Sequence, residues 1–233
     1  MTAASSGSGP LLRAEGLLVG YGDDPVAPPI DLTVPPGRAL GVVGANGAGK
    51  STLLQTLTGL LEPLAGEVRF AGEPVDERRA DLRRDMATVL DEEAFFPSLT
   101  GREHLLLTAR GHGVHEPKAV VDGEVAVFGL AERIDALPSQ LSSGQRRRLA
   151  LAAAFVRPAR MVVLDEPERR LDAGMRVRLA ERLARLRDGG AAILFACHDA
   201  DFLRTLADDV LLLGDETVSL VEPDTAADAL PGL

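Results

Sequence analysis

The sequence predicts an α/β fold built on a mostly parallel sheet. Short aliphatic runs alternate with helix-compatible stretches, a glycine-rich loop joins one such run to a helical pattern, and 233 residues suffice to bury a large core. Ala39 to Val43, Met161 to Leu164 and Ala191 to Cys197 have the length and character of strands buried on both faces. Thr100 to Phe128 and Gly144 to Val156 read as helices, punctuated at Gly111, Gly113, Pro117, Gly129 and Pro138. That block, about 98–157, reads as a helical subdomain inserted between early and late strands. The chain shows no internal repeat.

Composition narrows the function classes. The formal net charge of -10 opposes attraction to nucleic acid or anionic lipid, so no nucleic-acid partner is expected. The single cysteine, Cys197, excludes an intrachain disulfide and suits a reducing compartment. No apolar run approaches the ~18 residues of a membrane span, and MTAASSGSGP reads as a tail rather than a signal peptide. A cytoplasmic chain without direct membrane insertion is the expectation.

The loop Gly44 to Thr52, GANGAGKST, carries the first chemistry. Among 25 basic residues only Lys50 and Lys118 are lysine. A strand before the loop and a helical pattern over Ser51 to Leu60 give it the setting of a phosphate-binding loop. Its backbone N–H groups, from Gly44 through Asn46, Gly47, Ala48 and Gly49 to Thr52, converge on phosphate oxygens at a helix N-terminus. Lys50 adds a compact point charge where a guanidinium fork would not fit, and Ser51 offers a hydroxyl to Mg2+. A nucleoside triphosphate also needs acids for metal and water. Asp165 and Glu166 end the run from Met161, at the carboxyl edge where such sheets bind ligands. Asp165 suits Mg2+ and Glu166 suits general base. His198 ends a further apolar run and has the chemistry to donate to a γ-phosphate, although an isolated histidine there is more often structural.

Leu141 to Arg148, LSSGQRRR, follows in the chain. Ser142 or Ser143 can cap a helix whose N-terminus meets an anion. Arg146, Arg147 and Arg148 read alternatively as a solvated helix face, with Arg147 or Arg148 on it. Taken in order, the phosphate loop, this segment, the Asp165–Glu166 pair and His198 resemble the nucleotide-binding subunit of ATP-binding-cassette (ABC) transporters, from about Leu11 to Leu220. The resemblance implies an ABC-type P-loop NTPase fold, with 11–220 as one ATPase domain and an antiparallel β portion from Leu11 to Val34 and Glu67 to Val75; by composition, residues 1–10 read as a disordered tail and 221–233, thinning into Pro, Asp and Ala, as a C-terminal tail. It implies ATP and Mg2+ as ligands, with Tyr21 stacking on adenine. Ser142, Ser143, Gly144 and Gln145 would close on the γ-phosphate held by a second ATP-binding subunit, identical or related.

The sequence also departs from that family. Counting back from Phe96 and Pro97 puts Asp91 at the family's glutamine position, where a carboxylate still ligates Mg2+ but does not donate a hydrogen bond when ionised. Glu168, Arg169 and Arg170 stand where small residues are usual, in a segment that crosses the family's dimer interface, and Ser143 replaces a glycine. The expected activity is ATP hydrolysis coupled to transport through a separate membrane-spanning permease chain, at the inner face of the membrane. Phe95 and Phe96 are expected to split between core and partner. A soluble, non-transport ABC-type ATPase is the alternative. No Asn-Lys-x-Asp guanine reader is present.

Overall fold

The computed structural model describes residues 9–90, 95–214 and 216–232. In chain order its elements are β1 (Leu12–Leu18), β2 (Gly20–Tyr21), β3 (Asp24–Pro25), β4 (Ile30–Val34), β5 (Ala39–Gly44), α1 (Lys50–Leu57), β6 (Ala65–Phe70), β7 (Glu73–Pro74), α2 (Ala80–Asp85) and β8 (Met86–Val89). There follow α3 (Gly101–Gly111), α4 (Pro117–Val127), α5 (Ser143–Phe155), β9 (Met161–Asp165), α6 (Ala173–Asp188), β10 (Ala192–Ala196), α7 (Ala200–Leu206), β11 (Asp209–Leu213), β12 (Val218–Val221) and α8 (Pro223–Ala229).

The expected mixed sheet forms in the order β12-β11-β5-β10-β9-β8, parallel throughout except for β12. Every residue of β5, β9 and β10 is buried, which is why these runs carry no polar alternation. The expected antiparallel portion is a second sheet, β4-β1-β6-β7. Its strands alternate, as Ile30, Leu32 and Val34 face inward while Asp31 and Thr33 face out. Two apolar clusters result. One fills the space between the two sheets around α1, and the other lies beneath α3 to α8 on the opposite face of the main sheet.

The inserted block resolves into α3, α4 and α5. Thr100 and Glu103 start α3 with reciprocal side-chain to backbone bonds. The single stretch read from Thr100 to Phe128 is broken at 112–116, where Gly113 has φ 67° and Pro117 opens α4. Glu124 of α4 is buried and pairs with Arg182 of α6 at 2.6 Å, tying the block to the sheet's helical layer.

The last segment differs from the expected tail. Residues 223–229 form α8, with Ala226 and Ala227 buried against the core and Arg204 of α7 paired to Asp224 at 3.2 Å and Asp228 at 2.5 Å. Its alanines suit close packing, and Pro223 stands at the first helical position, where its missing N–H costs nothing.

Candidate functional site

Three neighbouring strands deliver the site. β10 lies between β5 and β9 in parallel register, with Ala196 opposite both Val42 and Asp165. The residues following these strand ends therefore emerge together: the loop from Gly44, the Asp165–Glu166 pair, and His198.

Within the loop, Gly47 and Gly49 have φ of 88° and 87°, and a Cβ on Gly49 would lie 2.8 Å from Val26 Cγ2. Glycine is thus required at Gly49 both by backbone hand and by space. Gly49 caps α1 without a side-chain bond, which leaves the helix's first N–H groups to the loop's concavity. Lys50 is 6% exposed, and its Nζ donates to Gly44 O at 2.8 Å and Ala45 O at 2.9 Å. Burial lowers its pKa, opposed by the negative charges of Glu166 and Asp165. Thr52 is buried and Ser51 exposed. Tyr21 is 55% exposed, and its hydroxyl lies 3.3 Å from Gln55 Oε1 of α1, so the ring stands at the loop's margin.

Asp165 is buried at the end of β9. Glu166, beside it, adopts φ 44°, a left-handed conformation that costs a non-glycine residue about 1–3 kcal/mol. Its surroundings hold it there: its N–H donates to Ala196 O at 3.0 Å, and its carbonyl accepts Arg147 Nη2 at 2.9 Å. Its carboxylate faces His198 Nε2 at 3.3 Å and Arg169 Nη1 at 2.7 Å. Burial first, then Lys50, lowers the His198 pKa, while Glu166 opposes them. A neutral imidazole is the form this favours near neutral pH.

The Ser142 to Gln145 segment starts α5. Ser142 is the cap: its Oγ accepts Gln145 N–H at 3.2 Å, and Gln145 Oε1 accepts Ser142 N–H at 2.9 Å. Gly144 packs on the main chain of the 166–171 segment, where a Cβ would stand 2.9 Å from Arg170 O. The bonds described for Ser142 and Gln145 stay within this helix end, away from the phosphate loop of the same chain.

The expected solvated face of α5 is corrected by the structure. Arg147 is 5% exposed and donates to the backbone oxygens of Asp165, Glu166 and Leu90. It shares the buried stripe of Leu151, Ala154 and Phe155 at helical spacing, a phase that sequence reading could have used. Arg148 is likewise engaged, 3.3 Å from the carbonyls of Phe128 and Gly129. Glu168 points inward, and its Oε1 accepts the His198 N–H at 2.9 Å. Asp91 lies outside the described residues. Phe95 packs against the core, whereas Phe96 is 56% exposed.

The residues fit the groups that the loop implies. Left-handed glycines and an uncapped helix start make a cradle of N–H donors for phosphates. The hydroxyl of Ser51 and the carboxylate of Asp165 are hard oxygen donors of the kind Mg2+ takes. Among the described residues no cluster of three or more His, Cys, Asp or Glu could hold a metal by itself, so Mg2+ here would share its ligands with phosphate.

A family described as "ABC transporter" matches residues 28–169. The Nod factor export ATP-binding protein I of Burkholderia thailandensis is 39% identical over 76% of this chain, and the match spans 59% of that relative's length. The aliphatic sulfonates import ATP-binding protein SsuB of Pseudomonas putida is 34% identical, covering 90% of this chain and 75% of its own. The cytochrome c biogenesis ATP-binding export protein CcmA of Xanthomonas campestris is 41% identical, covering 79% and 86%. A solved ATP-binding subunit of an ABC transporter superposes with a TM-score of 0.85 at 27% identity, over 92% of this chain and 91% of that one. A dimeric bacterial ABC transporter cassette shares the fold, with a TM-score of 0.81 at 22% identity over 91% and 98%. No helix among the described residues is long and apolar enough to cross a membrane. With more than half of its length inside the family match, and relatives this similar, the chain belongs to the ABC transporter family as an ATP-binding cassette.

Proposed function

We propose that this chain is the ATP-hydrolysing subunit of a membrane transporter, working as a dimer. The observation that carries the reading is the convergence of Lys50, Glu166 and His198 on three adjacent strand ends, with His198 Nε2 3.3 Å from Glu166 Oε1. Tyr21 offers its exposed ring to adenine. The backbone N–H groups from Asn46 to Thr52 and the Lys50 ammonium receive the phosphates, exchanging the carbonyl bonds of Lys50 for phosphate oxygens. Ser51 and Asp165 would hold Mg2+, which supplies positive charge to the β- and γ-phosphate oxygens when bound. Asp91 is a further metal candidate on sequence grounds. Glu166 takes the proton of the attacking water, and His198 orients the carboxylate and the γ-phosphate.

The helix start at Ser142 to Gln145 serves a second subunit's nucleotide. Its cap satisfies Gln145 N–H and leaves those of Ser143 and Gly144 for an anion. The working unit runs from residue 11 through α8, with the helical block, about 98–157, and Phe96 turned to a membrane-spanning partner at the cytoplasmic face of the membrane. The named relatives divide between import and export, so the partner chain sets cargo and direction.

Phosphate release by the purified chain with Mg-ATP tests the activity. Turnover in the wild type that is lost in Glu166→Gln while ATP affinity is kept supports the reading. A chain that binds no ATP analogue overturns it. Co-expression with neighbouring genes tests the transport half: failure to sediment with membranes would favour a soluble ABC-type ATPase.

A further inference from the structure

Between β9 and α6 the chain carries a glutamate turned inward. Glu168 is 6% exposed, and its Oε1 accepts the backbone N–H of His198, 30 positions along the chain, at 2.9 Å. Its Oε2 is buried with no N–H or O–H donor among the described residues, and its polar neighbour is the Cys197 thiol. Cys197, also buried, lies beside it, with its Sγ engaged to the backbone N–H and carbonyl of Asp199 at 3.2 and 3.4 Å. Burial raises the Glu168 pKa, and the nearby Glu166 charge adds to this, against the His198 N–H, its own N–H and the Cys197 thiol, which favour the anion. A carboxyl group is costly at such a place, where an apolar side chain would pack without that cost. What it obtains is a fixed link between two loops, 166–171 and 197–199, that each present one member of the Glu166–His198 pair.

We infer that Glu168 is a positioning residue for His198: its carboxyl group anchors the His198 main chain and thereby sets the 3.3 Å approach of the imidazole to Glu166. The turn around it is itself fixed, by Arg169 N–H to Glu166 O at 3.1 Å and by the buried side chain of Leu171. Cys197, on the other side, is pinned by its N–H to Val42 O at 3.2 Å on β5. The His198 N–H falls between these two fixed points, and Glu168 is what joins them.

The inference rests on the catalytic role given to His198, and the test separates the two. ATP turnover, ATP affinity and melting temperature are measured for Glu168→Ala, Glu168→Gln, His198→Ala and the Glu168→Ala/His198→Ala double variant of the full chain. Glu168→Ala is expected to lower kcat about tenfold at unchanged ATP affinity, the effect of one lost buried hydrogen bond on the barrier. Glu168→Gln, whose amide oxygen accepts the same N–H, recovers most of that loss. Once His198 is alanine, removing Glu168 costs less than about twofold more, because the two act as a unit. Wild-type turnover in Glu168→Ala, a Glu168→Gln as slow as the alanine variant, or losses that multiply in the double variant would each overturn the positioning role. A His198→Ala at wild-type rate would remove the role of His198 and the inference with it, whereas a slow His198→Ala beside a fast Glu168→Ala sinks the inference alone. Should Glu168→Ala not fold, Glu168→Ser carries the same cycle with the same expectations.

Discussion

His198 Nε2 lies 3.3 Å from Glu166 Oε1, although the two residues are 32 positions apart and sit on loops from different strands. β9 and β10 run parallel in register up to Asp165 and Ala196, so the following one or two residues of each strand must meet. That pairing makes Glu166 the first residue to test. Glu166→Gln is expected to keep ATP binding and cut turnover by about two orders of magnitude or more, the usual range for a lost general base. Light scattering with Mg-ATP should show the variant as a dimer, because the closed state is no longer discharged.

Lys50→Ala should weaken binding of a fluorescent ATP analogue by about tenfold or more, since the phosphates lose a desolvated ammonium. Equilibrium titration reads this directly, and unchanged affinity would remove the phosphate-loop assignment.

Arg147 braces the strained turn at Glu166 from behind, through the carbonyls of Asp165, Glu166 and Leu90. Arg147→Ala takes the guanidinium from the carbonyls of Asp165 and Leu90 and leaves Glu166 O only the Arg169 N–H, so it should destabilise the fold by about 1–3 kcal/mol, with lower turnover at a temperature where the chain is still folded. Arg147→Lys should recover little of this, because one ammonium does not reproduce the guanidinium fork. Chemical denaturation measures the first effect and phosphate release the second.

Glu168 makes stability depend on pH in a defined sense. Its folded-state pKa is raised above the ordinary 4.5, chiefly by burial, so the folded chain keeps this proton to higher pH than the unfolded chain does. The contribution favours folding fully below about pH 4.5 and is lost as pH rises through the raised value. Glu168→Gln removes that dependence. The melting temperature of the variant minus that of the wild type should therefore grow as pH rises from about 4.5 in thermal scans.

Phe96→Ala should leave folding and ATP affinity unchanged, because the ring is exposed and meets His104 at 5.8 Å rather than the core. On the transport reading it should reduce recovery of the chain with its membrane partner in co-purification. Phe95, packed against the core and 5.3 Å from the same histidine ring, should instead cost stability when truncated.

The fold class and the placement of the phosphate loop, the acid pair and His198 at strand ends are legible in the sequence because both rest on local pattern. Aliphatic runs of strand length, helix punctuation and a glycine-rich loop between a strand and a helix are short-range signals, and a β-α alternation admits few sheets. Residue order alone therefore puts these three at strand ends, and the chemistry expected of them follows from side-chain type. Tertiary structure decided what depends on which way a side chain turns. Arg147 and Glu168 are charged residues in stretches where solvent exposure is the ordinary outcome, yet one lies beneath the Asp165–Glu166 turn and the other between two loops. Their burial is offset by backbone groups distant in sequence, which composition and periodicity do not display. The same holds for residues 223–229: a short, alanine-bearing segment has little helical tendency alone, and it becomes α8 because Ala226, Ala227 and the Arg204 pairs meet it in the folded chain.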